Sequence, residues 1–169
     1  MSRVNVEIEE VPKSERERLL PVLDDSFEGI YLWHARRTLQ SIEQVVAART
    51  PDQEDAGLAM LKTLDEDAGY VYYVAVPVRF RRQGVGARLV DYALAYFMGK
   101  RVPYVYASVE EDNPESKALF GSKGFERLKG SEMAGRYGRI RSLLMYREMM
   151  VVPGEILLGR RIDAASRSA

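Results

Sequence analysis

The sequence predicts a mixed α/β fold: a largely antiparallel sheet with one parallel strand pair, flanked by about four helices. Three observations predict it. Strand-like runs joined by short polar turns follow one another from Glu43 to Pro77, as in a meander. A basic, glycine-containing turn then leads straight into an amphipathic helix. That helix lies between two further strand-like runs, Val71–Val76 and Tyr104–Val109. A crossover through a helix implies a parallel pair, whereas the short turns before it imply antiparallel ones.

The elements follow in order. Val4 to Ile8 alternates as a first strand, which Pro12 ends. Ser14, with Glu17 three residues later, reads as a capping box opening a helix through Leu23. Asp24-Asp25-Ser26 interrupts. A second helix is predicted from Phe27 to Leu39, with Ile30, Leu32, Trp33 and Leu39 as its core-facing residues. Glu43–Thr50 and Ala56–Leu64 read as strands around the polar turn Pro51–Asp55, and Asp65–Gly69 as the next turn. Val71–Val76 is rich in β-branched and aromatic residues and is closed by Pro77. The crossover helix carries Leu89, Val90, Ala93, Leu94 and Phe97 on one face. After Tyr104–Val109, Asn113-Pro114 has the form of an N-cap followed by proline at the first helical position. Glu126–Gly130 reads as a strand, Ser131–Gly138 as a loop and Arg141–Met149 as a last strand. The expected organisation is one domain over 1–150 with a C-terminal extension over 151–169. In that extension Val151-Val152 and Ile156–Leu158 could pair with a sheet edge or with a second copy as a homodimer, and Asp163–Ala169 should fray.

Composition narrows the function. The 169 residues hold 25 Lys+Arg and 25 Asp+Glu, so the net charge is zero and a broad nucleic-acid surface is not expected. There is no cysteine, hence no disulfide framework, thiolate metal site or cysteine nucleophile. The single histidine, His34, argues against a histidine metal cluster and a Ser-His-Asp triad. No apolar run approaches the ~20 residues of a membrane span, and no signal segment follows Met1. A cytoplasmic protein without metal, nucleic-acid or membrane partners is the expectation.

The turn Arg79-Phe80-Arg81-Arg82-Gln83-Gly84-Val85-Gly86 carries the chemistry. The first amides of a helix lack internal acceptors and its N-terminal end is electropositive. Glycines let the backbone approach an anion, and arginines add charge-assisted hydrogen bonds. Strand, glycine turn and helix together suit a diphosphate. The P-loop pattern G-x-x-x-x-G-K-[ST] is absent. The dinucleotide pattern G-x-G-x-x-G finds Gly84 and Gly86, but Leu89 stands at its third position. Glu110 lies where that fold places its ribose-binding acid, so a dinucleotide-binding enzyme stays as an alternative.

Two motifs resemble those of the GNAT superfamily of N-acetyltransferases. Its acetyl-CoA loop, [QR]-x-x-G-x-[GA], is matched by Arg81-Arg82-Gln83-Gly84-Val85-Gly86. Its second hallmark, N-x-x-A-x-x-L-Y-x-x-x-G-F, is matched from Asn113 to Phe125, with Ser116 for the alanine and Phe120 for the tyrosine. The resemblance covers about Val4 to Met149 and implies a splayed parallel pair that admits the pantetheine arm of acetyl-CoA. Cofactor contacts would then come from Val74 and Val76 on the first strand, from Arg81, Arg82, Gln83, Gly84, Val85, Gly86 and Ala87 in the loop, and from Asn113 and Phe120 beyond the second strand. It further implies that the first two helices, with Tyr31, Trp33 and His34, border the acceptor, and that a closing hairpin covers it. The acceptor would be a small amine, an amino acid or a protein N-terminus.

An alkylammonium with pKa near ~10 must lose a proton before it attacks. Glu110, Glu111 and Asp112 after the second strand, and Tyr73 on the first, are candidates to take it; Glu110 and Tyr73 are the catalytic residues expected. The resemblance gives thiolate protonation to the tyrosine that is Phe120 here. Water, Tyr106 or Ser108 would have to serve, and a CoA-binding module with weak or no catalysis is the alternative that Phe120 raises.

Overall fold

A computed structural model describes residues 3–65 and 67–162. The expected fraying of Asp163–Ala169 falls outside them. The chain forms two compact units, the first from Met1–Lys62 and Val71–Ala93, the second from Thr63–Tyr70 and Leu94–Ala169.

The first unit opens with strand β1 (Glu7–Glu10), a 3-10 segment (Lys13–Leu19) and helices α1 (Leu20–Ser26) and α2 (Gly29–Ser41). Strands β2 (Gln44–Arg49), β3 (Asp55–Leu64) and β4 (Ala68–Ala75) follow, then a short 3-10 turn (Val78–Phe80) and helix α3 (Val85–Gly99). The strand order is β1-β2-β3-β4; β1 pairs antiparallel with β2, and β2 with β3. The expected meander is present. Its core gathers Leu19, Leu23, Leu39, Val45, Leu58 and Met60, all at or near zero exposure. Each such side chain contributes about 1.5–3 kcal/mol by leaving water.

Two expectations for this unit need correction. Ser14 and Glu17 form no capping box: the segment is 3-10, with Pro12 as N-cap and no side-chain cap bond. Arg16 ties this segment to α2. It is buried, and its Nη1 donates to the carbonyls of Leu39 at 2.9 Å and Ile42 at 2.8 Å, closing the C-terminal end of α2. Pro21 then starts α1 afresh in its first turn, where no N–H is required. In α2 the buried residues are Ala35 and Leu39, while Ile30 is 75% and Trp33 59% exposed, so these two are not core. The Trp33 face carries the Arg37 guanidinium at 5.6 Å instead.

The second unit contains β5 (Tyr104–Glu110), α4 (Pro114–Ser122), β6 (Glu126–Arg127), α5 (Gly130–Tyr137), α6 (Arg139–Met149) and β7 (Glu155–Arg161). Its strand order is β4-β5-β7-β6, and β4-β5 is the parallel pair. The early part of β4 belongs here, and Tyr70 Oη lies 2.7 Å from Ser108 Oγ on β5. The fold is thus mixed α/β, mostly antiparallel with one parallel pair, as expected. Six α-helices are present among the described residues rather than about four.

Residues 130–161 differ most from expectation. Ser131–Gly138 is not a loop but lies mostly in α5, where the Glu132 carboxylate accepts the Lys129 amide at 2.7 Å. Arg141–Met149 is helical, not a strand. The buried residues of α6 are Ser142, Met145 and Met149, spaced for one helix face, while Ile140, Leu143 and Leu144 point to solvent. Residues 130–149 therefore supply no closing hairpin. Of the residues expected to seek an edge or a second copy, Ile156–Leu158 lie in the internal strand β7, antiparallel to β5 on one side and β6 on the other, and Val151-Val152 lie before it. Gly159 permits that place: a Cβ there would lie 2.5 Å from Leu128 Cδ1 and 3.0 Å from the Tyr106 ring.

Candidate functional site

In the first unit, β4 runs directly into the basic turn. Val74 is half-buried near its end. Past Pro77, the Asp25 carboxylate of α1 accepts the Val78 amide at 2.7 Å and pins the 3-10 turn. Arg79 pairs with Glu54, and Gln83 Nε2 donates to the Arg79 carbonyl at 2.7 Å. Arg81 Nε donates to the Val76 carbonyl at 3.0 Å, so that carbonyl already has a partner. Arg82 and Gly84 both adopt left-handed backbone, at φ 60° and 87°, which turns the chain sharply into α3. The bond from the Arg88 amide to the Gly84 carbonyl, 3.1 Å, closes the first turn. The amides of Val85, Gly86 and Ala87 then have no acceptor inside the helix. Arg81 and Arg82 are exposed beside them. These groups, all legible in the sequence, come together in one cradle whose chemistry suits an anion.

Gly57 is the residue that sequence reading missed here. A Cβ on it would lie 2.9 Å from the Ala75 carbonyl, 3.0 Å from Val85 Cγ1 and 3.1 Å from Leu89 Cδ1. The glycine lets the first turn of α3 settle on the sheet, with Val85 and Leu89 buried. Close helix–strand packing is the task of the third glycine in the dinucleotide fingerprint. Here β3 supplies the space, and Leu89 fills it. A cavity of about 620 Å³ opens beside the turn, lined in part by Pro21, Val22, Asp25, Pro77, Val78 and Arg79.

Tyr73 and His34 meet in this unit: Tyr73 Oη lies 2.8 Å from His34 Nδ1. Phe27 tilts onto the Tyr73 ring at 5.3 Å, and Tyr72 stacks on the imidazole at 5.9 Å with 17° between planes. Burial first, and the charge of Arg37 second, hold the His34 imidazole below the usual histidine range.

The second unit places the remaining candidates. Glu110 ends β5 and is exposed; its carbonyl accepts the Asn113 amide at 3.1 Å. Glu111 is paired with Arg127 at 3.1 Å and with Lys117 at 3.8 Å, and Asp112 is exposed. Asn113 caps α4, its Oδ1 accepting the Ser116 amide at 3.0 Å, with Pro114 opening the helix. Phe120 is buried, edge-on to Phe125 at 5.1 Å. Tyr106 is fully buried; its hydroxyl lies 2.7 Å from Tyr137 Oη and accepts from Arg136 Nη1 at 2.6 Å. Burial, then the bond to Tyr137, push that phenol far above the ordinary tyrosine value. Ser108 Oγ is engaged by Tyr70. No group of three or more His, Cys, Asp or Glu among the described residues is placed to hold a metal ion. No described helix is long and apolar enough to cross a membrane.

No curated protein matches the chain. Solved structures do share its fold. The ribosomal-protein-S18-alanine N-acetyltransferase of Escherichia coli superposes with TM-score 0.69 at 14% identity, over 98% of this chain and 99% of that one. An acetyltransferase of the GNAT family from Staphylococcus aureus Mu50 gives 0.71 at 14%, over 94% and 99%. Rv2747 of Mycobacterium tuberculosis, solved in complex with CoA and NLQ, gives 0.64 at 17%, over 92% and 98%. The profile described as the acetyltransferase (GNAT) family matches residues 10–125, from the end of β1 through the cradle to Phe125. With that match spanning most of the sequence, the chain belongs to the GNAT acetyltransferase family.

Proposed function

We propose that the chain transfers the acetyl group of acetyl-CoA to a primary amine by direct attack within a ternary complex. The observation that carries this reading is the cradle from Arg81 to Ala87. Left-handed Gly84, the acceptorless amides at the start of α3 and the exposed Arg81 and Arg82 suit the diphosphate of CoA. The pantetheine arm is peptide-like and can bond strand backbone near Val74 as an added strand would. The amine nitrogen then attacks the thioester carbon, a strand amide near Val74 or Ala75 bears the oxyanion, and the C–S bond breaks to release the CoA thiolate. Neither a metal nor a covalent enzyme intermediate takes part. The acceptor is a small amine, an amino acid or a protein N-terminus.

Gly86→Glu tests the reading, because it sets a carboxylate against the diphosphate. The expected result is loss of acetyl-CoA binding by calorimetry with an unchanged circular dichroism spectrum. Unchanged affinity would remove the cradle from the mechanism. An acceptor screen reading free thiol completes the test. Acetyl-CoA binding without thiol release from any amine would leave a CoA-binding module, and tight NADH binding without acetyl-CoA binding would favour the dinucleotide enzyme.

A further inference from the structure

Tyr73 lies on β4, two residues before Ala75, where the strand runs out toward the cradle. His34 is brought to it from the middle of α2. The Tyr73 hydroxyl is 2.8 Å from His34 Nδ1, whereas the other hydroxyl near that nitrogen, Thr38 Oγ1, is 3.5 Å away. Phe27 and Tyr72 hold the two rings from the sides. Resting on the acetyl-transfer reading above, we propose that Tyr73 and His34 form the proton relay for the attacking amine: Tyr73 Oη takes the proton from nitrogen while its own proton passes to His34 Nδ1.

The chemistry requires both partners. A neutral phenol is a poor base alone, because accepting a proton would leave it positively charged. Coupled to a neutral imidazole, it accepts one proton as it gives up another and stays neutral. The imidazole must therefore be unprotonated on Nδ1 at rest. The charged group facing it is Arg37 on its own helix, and β4 presents the phenols of Tyr72 and Tyr73. Burial and Arg37 both disfavour the imidazolium, which leaves one ring nitrogen open as an acceptor near neutral pH, and that nitrogen is Nδ1 in the Nε2–H tautomer. As the C–N bond forms, the nitrogen becomes more acidic and the N–H bond breaks toward Tyr73 Oη. The carbonyl electron pair moves to oxygen and returns as the C–S bond breaks, and CoA leaves as thiolate. The proton now on Nδ1 leaves by the way it came, back through Tyr73 Oη to water or the departing thiolate, while Nε2 keeps its own, which restores the pair. No carboxylate is needed in this route, consistent with Glu110 being exposed and Glu111 ion-paired.

His34 is the single histidine of the chain, so its ring nitrogens are identified in a 15N spectrum without assignment work. The relay requires the Nε2–H tautomer in the wild-type protein at neutral pH. A proton on Nδ1 would mean that the bond runs from His34 to Tyr73, and the relay would be overturned whatever the activity. Thiol release is then compared for wild type, Tyr73→Phe and His34→Asn, with acetyl-CoA and an amine chosen from the acceptor screen. The asparagine side chain can accept the Tyr73 bond near the Nδ1 position but cannot be protonated. Expected are falls of about 10²-fold in kcat for both variants, with acetyl-CoA affinity by calorimetry unchanged. Wild type should show an acid limb of kcat below the usual histidine range, and that limb should vanish in His34→Asn. Wild-type kcat in Tyr73→Phe, or in His34→Asn with Tyr73 intact, would sink the relay while leaving acetyl transfer standing. Wild type that binds acetyl-CoA but releases no thiol with any amine would overturn acetyl transfer, and the relay with it.

Discussion

Phe120 is the position where one side chain departs most sharply from the motif around it. Its ring is buried and packs edge-on against Phe125, a pairing worth ~0.5–1.5 kcal/mol beyond area burial. The hydroxyls nearest to it in role, Tyr106 and Ser108, are already engaged with other side chains. A released CoA thiolate, with pKa near ~8.5 for a thiol, is a tolerable leaving group that water can protonate. Phe120→Leu should lower stability by about 1–2 kcal/mol in urea titrations, from the lost ring pair and the altered fit. Phe120→Tyr restores a phenol, and thiol release with one fixed amine should rise, by up to ~10²-fold where leaving-group protonation limits the rate. Equal slowing in the tyrosine and leucine variants would show that the ring serves packing alone.

At the scale of elements, the position of α3 decides whether the cradle exists. Gly57 on β3 is what allows Val85 and Leu89 to reach the sheet. Gly57→Val would force the first turn of α3 away from β3, because one of the close contacts is the Ala75 backbone carbonyl and cannot yield. The expected cost is about 1–3 kcal/mol of stability, as for other overpacked sites. Calorimetry should also show acetyl-CoA affinity reduced by tenfold or more. A variant with lower stability but wild-type affinity would separate helix packing from cofactor binding. The pair α5–α6 follows a different logic. Its buried stripe is Met133, Ser142, Met145 and Met149, and the Ser142 hydroxyl donates to backbone at 2.6–2.8 Å. Polar replacement of exposed Ile140 or Leu143 should therefore change stability by no more than ~0.5 kcal/mol.

For the molecule as a whole, ligand binding and stability are linked. A ligand that binds only the native state at about 100 times its Kd adds ~2.7 kcal/mol. For a chain of 169 residues, that corresponds to a rise in Tm of about 5–10 °C. Acetyl-CoA should produce this shift and NADH should not, and Gly86→Glu should lose it. A shift with NADH alone would overturn the CoA assignment. With 25 basic and 25 acidic residues the chain carries no net attraction for polyanions, so the shift should reflect the cradle rather than diffuse charge.

What the sequence by itself determined lies in local patterns. The runs rich in β-branched and aromatic residues before Pro77, the basic glycine turn and the apolar face of α3 are each set by neighbours a few residues apart, and all were legible. The same holds for Asn113 and Pro114 at the start of α4, where cap and helix share one turn. Only the tertiary structure decided the rest, because it depends on residues distant in the chain. Gly57 matters through Ala75, Val85 and Leu89; Arg16 matters through the carbonyls of Leu39 and Ile42. His34 becomes a candidate catalytic group only where β4 brings Tyr73 within 2.8 Å. Helix α6 reads as a strand in the sequence because Ile140, Leu143 and Leu144 are apolar yet exposed, so composition points one way and burial the other. β7 reads as a C-terminal extension in the sequence because its place between β5 and β6 rests on backbone pairing with residues 31 to 57 positions away, which leaves no local signature.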